Sequence, residues 1–115
     1  MIARFIEKEL LKELRPAHVV CLFGARRTGK TVLLKNLLKK LKNKRILSLH
    51  GQNLATQEAF SSQRVEIIQK YTAEHDTVLI DEAQYISNIG LNLKLAVDTL
   101  PKISFLVTGS SSFDL

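Results

Sequence analysis

The 115-residue sequence predicts an α/β fold of three layers, in which helices cover both faces of a parallel, four-stranded sheet. Two observations predict it. Four short apolar runs, typical of buried strands, alternate with longer stretches whose apolar residues recur at helical spacing. Polar clusters follow three of these runs directly. Because ligands of parallel sheets bind beyond the carboxyl ends of the strands, the sequence also predicts a ligand site at one edge of the sheet.

Each element is predicted from its own stretch of sequence. The first is an amphipathic helix over residues 2–14, whose large apolar residues recur at helical spacing until Pro16 ends it. Strands are predicted at the short apolar runs, over residues 18–23, 45–50, 77–81 and 103–108. Helices are predicted between the strands, over residues 31–42, 58–74 and 91–100, with residues 51–57 polar and irregular.

Composition and length indicate one small globular domain. Hydrophobic residues make up 45% of the chain and charged residues 24%, which is ordinary for a globular protein. No apolar run approaches the roughly 20 residues of a membrane span, and acidic residues near the N-terminus argue against a signal peptide. The single cysteine, Cys21, lies in an apolar run, where a small buried hydrophobe is expected. We therefore expect a cytoplasmic protein without a membrane partner.

The net charge of +6 is unevenly distributed. Between Arg15 and Gln57 there are ten basic residues and no acidic ones, whereas the remainder has seven basic and eleven acidic residues. Such a cationic region favours a polyanionic ligand, either nucleotide phosphates or nucleic acid. Five of these basic residues have an alternative interpretation, in which they only form a solvated helix face: Lys35, Lys39, Lys40, Lys42 and Lys44.

Residues 24–31, GARRTGKT, match the P-loop pattern G-x-x-x-x-G-K-[ST] and lie between a predicted strand and a predicted helix. Gly24 lets the chain turn out of the strand, and Gly29 leaves the backbone open to phosphate oxygens. The loop N–H groups and the start of the helix then point at the anion. Lys30 is expected to reach the β- and γ-phosphates, with a catalytic role, and Thr31 to place its hydroxyl on Mg²⁺. The predicted nucleotide-binding residues are Gly24, Ala25, Arg26, Arg27, Thr28, Gly29, Lys30, Thr31 and Val32.

The run TVLIDE at residues 77–82 predicts the second half of the site. Asp81, at the strand end, is expected to hold Mg²⁺, usually through water. Glu82 would orient or deprotonate an attacking water. A strand-end turn residue and a surface carboxylate are the alternatives for these two positions. Gln84 and Tyr85 would contact a partner or substrate, and a structural or solvent-facing position is the alternative for each.

The run FLVTGSS, which starts at residue 105, adds a third group of polar residues. If the last strand lies between the first and the third, the hydroxyl of Thr108 faces the γ-phosphate, where it would sense that phosphate or position water. A polar cap before a glycine turn is the alternative. Ser110 is a weaker candidate for the same edge.

Other chemistries find less support in the sequence. His18, His50 and His75 share no metal-ligand spacing, and no Ser-His-Asp or Cys-His arrangement is indicated. With no tryptophan and two tyrosines, no base-stacking platform for single-stranded nucleic acid is visible.

These features together resemble a known family: an amphipathic N-terminal helix, G-x-R-x-x-G-K-T at residues 24–31, hhh-DE-x-Q ending at Gln84, and TGSS from Thr108. The family is the AAA-type ATPase domain of bacterial and archaeal proteins that carry a separate C-terminal domain of unknown function. The resemblance covers nearly all of the chain. It implies Mg²⁺-ATP as ligand, ATP hydrolysis as reaction, and one partial P-loop ATPase domain, with an N-terminal helix over residues 1–16 and a nucleotide-binding core over residues 17–115.

The chain departs from that family after its fourth strand, since AAA-type domains continue with a fifth strand, a helical lid and often an arginine finger. We therefore expect a truncated chain that binds nucleotide but hydrolyses it slowly. The strand at residues 18–23 would then be an exposed apolar edge, which favours association with a second copy.

Two other functions stay open. DEAQ at residues 81–84 resembles the second helicase motif, and with the cationic region it favours the first motor domain of a helicase-like, nucleic-acid-dependent ATPase. The other is a non-catalytic module that uses nucleotide as a structural ligand or a switch. Hydrolysis that nucleic acid stimulates would favour the helicase-like function.

Overall fold

The computed structural model describes residues 2–23, 28–41 and 44–109, with side chains from residues 8–23, 32–41 and 44–109. These residues form four strands and five α-helices, with one short 3-10 helix. In chain order they are α1 (Ile2–Glu13), β1 (Val19–Phe23), α2 (Thr28–Lys40), β2 (Ile46–His50), α3 (Leu54–Phe60), α4 (Val65–Thr72), β3 (Thr77–Asp81), the 3-10 helix (Ala83–Tyr85), α5 (Ile89–Thr99) and β4 (Ser104–Gly109). No helix in the described part of the chain is long and apolar enough to cross a membrane.

The four strands form one parallel sheet in the order β1-β4-β3-β2. The strand β4 therefore lies between β1 and β3, the arrangement on which the expectation for Thr108 depended. Val20 pairs with Leu106, and Ile80 pairs with Val107 on the other side of β4. Every residue of β4 is buried. The predicted α/β fold, a four-stranded parallel sheet with helices on its faces, is confirmed.

Two apolar clusters divide the core between the faces of the sheet. Because strand side chains alternate, Val78 and Ile80 join the larger cluster, and Leu79 joins the smaller one. The larger cluster packs β3 and β4 against α3, α4 and α5, with Phe60 at its centre in edge-to-face contact with Phe105. The smaller cluster packs the other face against α1 and α2 through Leu10, Leu33, Leu37, Leu79 and Leu106.

The predicted helix over residues 58–74 is wrong, because two helices replace it and α3 begins inside the segment expected to be irregular. Asn53 caps α3, since its Oδ1 accepts the Thr56 N–H at 3.1 Å. The break between α3 and α4 depends on a contact with a residue that is remote in sequence. Gln63 has a left-handed backbone (φ 56°), and its N–H donates to Asn92 Oδ1 at 2.7 Å. Asn92 lies on α5, so local periodicity does not report this contact.

The strand β1 forms one edge of the described sheet. Residues 19–22 are half-buried, and Phe23 is 40% exposed. Cys21 packs against the larger cluster, and burial raises the pKa of its thiol. The thiol therefore stays protonated near neutral pH, as expected for a cysteine that acts as a small hydrophobe.

Candidate functional site

The side chains of Asp81, Glu82 and Thr108 meet at the carboxyl edge of the sheet. Asp81 ends β3, and Thr108 is the penultimate residue of the adjacent strand β4. The Thr108 hydroxyl donates to Asp81 Oδ1 and accepts the Glu82 N–H at 3.3 Å. Thr108 is fully buried, and Glu82 is only 7% exposed. One hydroxyl thus joins the two acidic residues of the DEAQ segment across the sheet.

Glu82 leaves the strand through a left-handed turn. Its φ of 54° and ψ of 50° are unusual for a residue with a side chain and cost on the order of 1–3 kcal/mol. Such backbone strain concentrates at functional sites, where the surrounding structure maintains it. The turn leads into the 3-10 helix, whose Ala83 is fully buried. The fold therefore fixes the point at which the Glu82 side chain leaves the backbone.

Gly51, directly after β2, supports this turn by close approach. Its N–H donates to the Asp81 carbonyl at 2.7 Å, and a Cβ at this position would lie 2.0 Å from the Glu82 carbonyl oxygen. Gln57 on α3 fixes Gly51 in turn, since its Nε2 donates to the Gly51 carbonyl at 2.9 Å. This role was not predicted, because residues 51–57 were expected to be irregular. A glycine directly after a strand at the carboxyl edge was the available signal.

Gln84 and Tyr85 have different environments on the 3-10 helix. Gln84 is half-buried, and its Nε2 donates to Glu82 Oε1 at 2.6 Å. Tyr85 is 47% exposed. Gln84 therefore faces the candidate site, whereas the expectation that Tyr85 contacts a partner stays a prediction.

The glycine-rich segment is described only in part. Gly24, Ala25, Arg26 and Arg27 lie outside the described residues, as do Ser110 and Ser111. Residues 28–31 form the first turn of α2, but their side chains, including those of Lys30 and Thr31, lie outside the described part. Val32 is 52% exposed. The helix α2 thus begins at Thr28, within the P-loop pattern, as that pattern requires.

A cleft of about 340 Å³ lies between α2 and the carboxyl halves of β2 and β3. Lys35, His50 and Asp81 are among the residues that line it. A larger cavity of about 430 Å³ lies at the opposite edge, where Arg45, Asp76 and Lys102 line it. The carboxyl edge is the better candidate for a functional site in spite of its smaller cleft. Parallel sheets bind ligands there, and that edge gathers Asp81, Glu82 and Thr108.

The donor atoms at this edge fit a magnesium ion bound with phosphate. Mg²⁺ prefers oxygen ligands, and protein sites often supply one or two carboxylates while phosphates and water complete the shell. Asp81 offers a half-buried carboxylate, and the Thr108 hydroxyl already bonds to it. The beginning of α2 adds the positive end of a helix dipole, which favours anions.

The parallel sheet, the P-loop pattern at the start of α2 and the acidic pair at the end of β3 define the class of P-loop ATPase domains. A family profile described as AAA domain matches residues 16–115. The chain therefore belongs to the AAA domain family. The finer resemblance, to proteins with a C-terminal domain of unknown function, stays a prediction. A search of curated proteins found no match.

Solved structures share this fold. The replication initiator DnaA bound to AMPPCP and single-stranded DNA is 21% identical, with a TM-score of 0.62 over 96% of this chain and 38% of that chain. AMPPCP-bound DnaA from Aquifex aeolicus is 19% identical, with a TM-score of 0.61 over 96% and 38% of the two chains. The Pif1 helicase from Candida albicans is 18% identical, with a TM-score of 0.56 over 93% and 31%. The chain thus spans 38% or less of the length of each of these proteins.

Replacing Gly51 by alanine is expected to disturb the Asp81–Glu82 turn, because the new Cβ overlaps the Glu82 carbonyl oxygen. Overpacking of this kind costs about 1–3 kcal/mol of unfolding free energy. Urea unfolding gives the loss, and backbone amide NMR shifts of residues 81–83 report the displacement. The control is Gln52→Ala at the next, exposed position. Equal stability and unmoved amide signals in Gly51→Ala would contradict the supporting role.

Proposed function

We propose that this domain binds Mg²⁺-ATP at the carboxyl edge of its sheet and hydrolyses it to ADP and phosphate. The observation that carries the proposal is the cluster of Asp81, Glu82 and Thr108 beside α2, whose first turn contains the G-K-T of the P-loop pattern. Membership of the AAA domain family supports it. So does the shared fold with DnaA, solved in complex with the nucleotide analogue AMPPCP.

Binding would depend mainly on the segment from Gly24 to Val32. Its backbone N–H groups would surround the phosphates, and Lys30 would add a point charge at the β- and γ-phosphates. Thr31 and Asp81 would hold Mg²⁺, the first directly and the second through water. When bound, the ion neutralises charge that develops on the phosphate oxygens. The half-buried position of Asp81 suits this role, because part of the residue stays accessible to solvent.

Hydrolysis would depend on Glu82. Its carboxylate would take a proton from a water molecule as the water oxygen attacks the γ-phosphorus and the bond to the β,γ-bridging oxygen breaks. Thr108 links this base to the metal site, because its hydroxyl bonds to the Asp81 carboxylate and to the Glu82 N–H. A displacement of Asp81 toward a bound ion would thus reach the Glu82 backbone through one hydroxyl.

A nucleic-acid-dependent ATPase is the second candidate. The observation that favours it is a row of basic residues along the sequence, all of them exposed: Lys35 and Lys39 on α2, then Lys44 and Arg45. Exposed cations of this kind bind phosphate backbones in a salt-dependent way. The shared fold with the Pif1 helicase and with DnaA bound to single-stranded DNA is consistent with this candidate.

Association with a second copy through the edge strand β1 is a further proposal that the sheet order permits.

The two candidates differ in their response to single-stranded DNA. If nucleic acid is the activator, an oligonucleotide should raise the ATPase rate at low salt, and the effect should fade as salt increases. Charge reversal by Lys35→Glu with Lys39→Glu should remove the stimulation. The matched control is Lys94→Glu on α5, away from the row. A rate that does not respond to the oligonucleotide at any salt concentration would exclude the second candidate.

Nucleotide binding is tested first by thermal unfolding with and without Mg²⁺-ATP. At about 100 times the dissociation constant, binding should stabilise the fold by roughly 2.7 kcal/mol. In a domain near this size, that raises the Tm by about 10 °C or more. Lys30→Ala should abolish the shift, while Lys70→Ala, at an exposed position on α4, should keep it. The same shift in Lys30→Ala and wild type would contradict the phosphate-binding role of the glycine-rich segment.

The assignment of the base is tested by Glu82→Gln, which keeps the size of the side chain but removes its proton affinity. The hydrolysis rate should fall by at least about a hundredfold, since a positioned general base contributes that much. Mg²⁺-ATP binding should persist, because the phosphate contacts are elsewhere. Glu58→Gln on α3, an exposed position, is the control. Undiminished hydrolysis in Glu82→Gln would show that another group takes the proton.

A further inference from the structure

The buried side chain of Glu82 is held by the amide of Gln84. Gln84 Nε2 donates to Glu82 Oε1 at 2.6 Å. Because a carboxylate has no hydrogen to donate, only the NH₂ group of the amide can face it favourably. Short hydrogen bonds to an ionised acceptor are among the stronger side-chain contacts in proteins. The contact therefore selects one orientation of the Glu82 carboxylate.

The donor lies on a rigid element. Gln84 belongs to the 3-10 helix, whose end is closed by the Ile86 N–H donating to the Ala83 carbonyl at 3.0 Å. Ala83 and Ile86 on either side of Gln84 are buried in the larger core cluster. The backbone of Gln84, from which its side-chain amide extends, consequently keeps a fixed position relative to the sheet.

The backbone and the side chain of Glu82 are fixed by different contacts. The Thr108 hydroxyl accepts the Glu82 N–H, and Gly51 packs against the Glu82 carbonyl. These contacts fix where the side chain starts but leave its own bonds free to rotate. The amide of Gln84 fixes its far end, where the carboxylate lies. A carboxylate offers about four acceptor positions, so it can accept an amide N–H and a water together.

We propose that Gln84 is a positioning residue that keeps the carboxylate of Glu82 oriented for attack by water. This role rests on the proposed function of Glu82 as the base. Gln84 itself touches neither nucleotide nor water in this mechanism; it acts through Glu82. Since a misplacement of about 1 Å at a reacting group can cost on the order of a hundredfold in rate, the bond matters for turnover and not for affinity.

The test is Gln84→Met, which keeps the length of the side chain and removes its donor. The expected result is a kcat lower by about ten- to a hundredfold, with an unchanged Kd for Mg²⁺-ATP and an unchanged Tm. Gln84→Glu should be slower still, because two adjacent carboxylates repel each other. The control is Gln69→Met, the same substitution at an exposed position on α4, which should match wild type. A purely structural role for Gln84 would lower Tm and affinity along with kcat.

A second measurement does not depend on turnover. In the ¹⁵N spectrum of the full chain, the side-chain NH₂ signals of Gln84 should shift in Glu82→Gln, while those of Gln69 should stay. Two results would overturn the positioning role and leave the proposed function intact. One is a wild-type kcat in Gln84→Met, and the other is an unchanged chemical shift of the Gln84 NH₂ signals in Glu82→Gln. A Lys30→Ala variant that binds Mg²⁺-ATP like wild type would instead overturn the proposed function, and this inference with it.

Discussion

The pairing of β4 with a strand on each side is the constraint on which the rest of the structure depends. It joins β1, which precedes the glycine-rich segment, to β3, which ends in the acidic pair. All six residues of β4 are buried, and its alternating side chains belong to both apolar clusters. The same pairing brings Thr108 next to Asp81. The two halves of the candidate site are therefore parts of one sheet, held at a fixed distance by backbone hydrogen bonds.

A second layer of contacts supports the acidic pair from the side of β2. Gly51 lies against the Glu82 carbonyl, and Gln57 on α3 holds Gly51. Together with the buried Ala83 of the 3-10 helix, these contacts offset the cost of the left-handed backbone at Glu82. The helices α3 and α5 support the acidic pair indirectly. Gln57 on α3 holds Gly51, and α5 packs in the core cluster that also contains Ala83 and Ile86.

The sequence predicted the strands and most helices well, because short apolar runs and helical periodicity are local signals. It also pointed to the carboxyl edge, since the polar clusters that follow the strands are visible along the chain. The prediction of one helix over residues 58–74 failed, because the break at Gln63 depends on Asn92, which lies on a helix remote in sequence. The roles of Gly51 and of the Gln84–Glu82 bond were also not predicted, because both depend on the left-handed turn at Glu82. Contacts that arise from unusual backbone geometry leave little trace in composition or spacing.

The position of β4 also determines the order in which the molecule can form. Val19 pairs with Phe105, so within the described sheet β1 has no neighbour until β4 has been synthesised. β2 and β3 pair much earlier along the chain. Pairing β1 with β4 closes a loop that contains all the elements between them. Closing so long a loop is entropically costly, and long-range parallel pairing is slow. A nascent chain would therefore carry β1 as an apolar strand without its β4 partner until β4 has been made, and such a form is prone to aggregate. Docking of β4 between β1 and β3 and assembly of the Asp81–Thr108–Glu82 cluster are then one folding event.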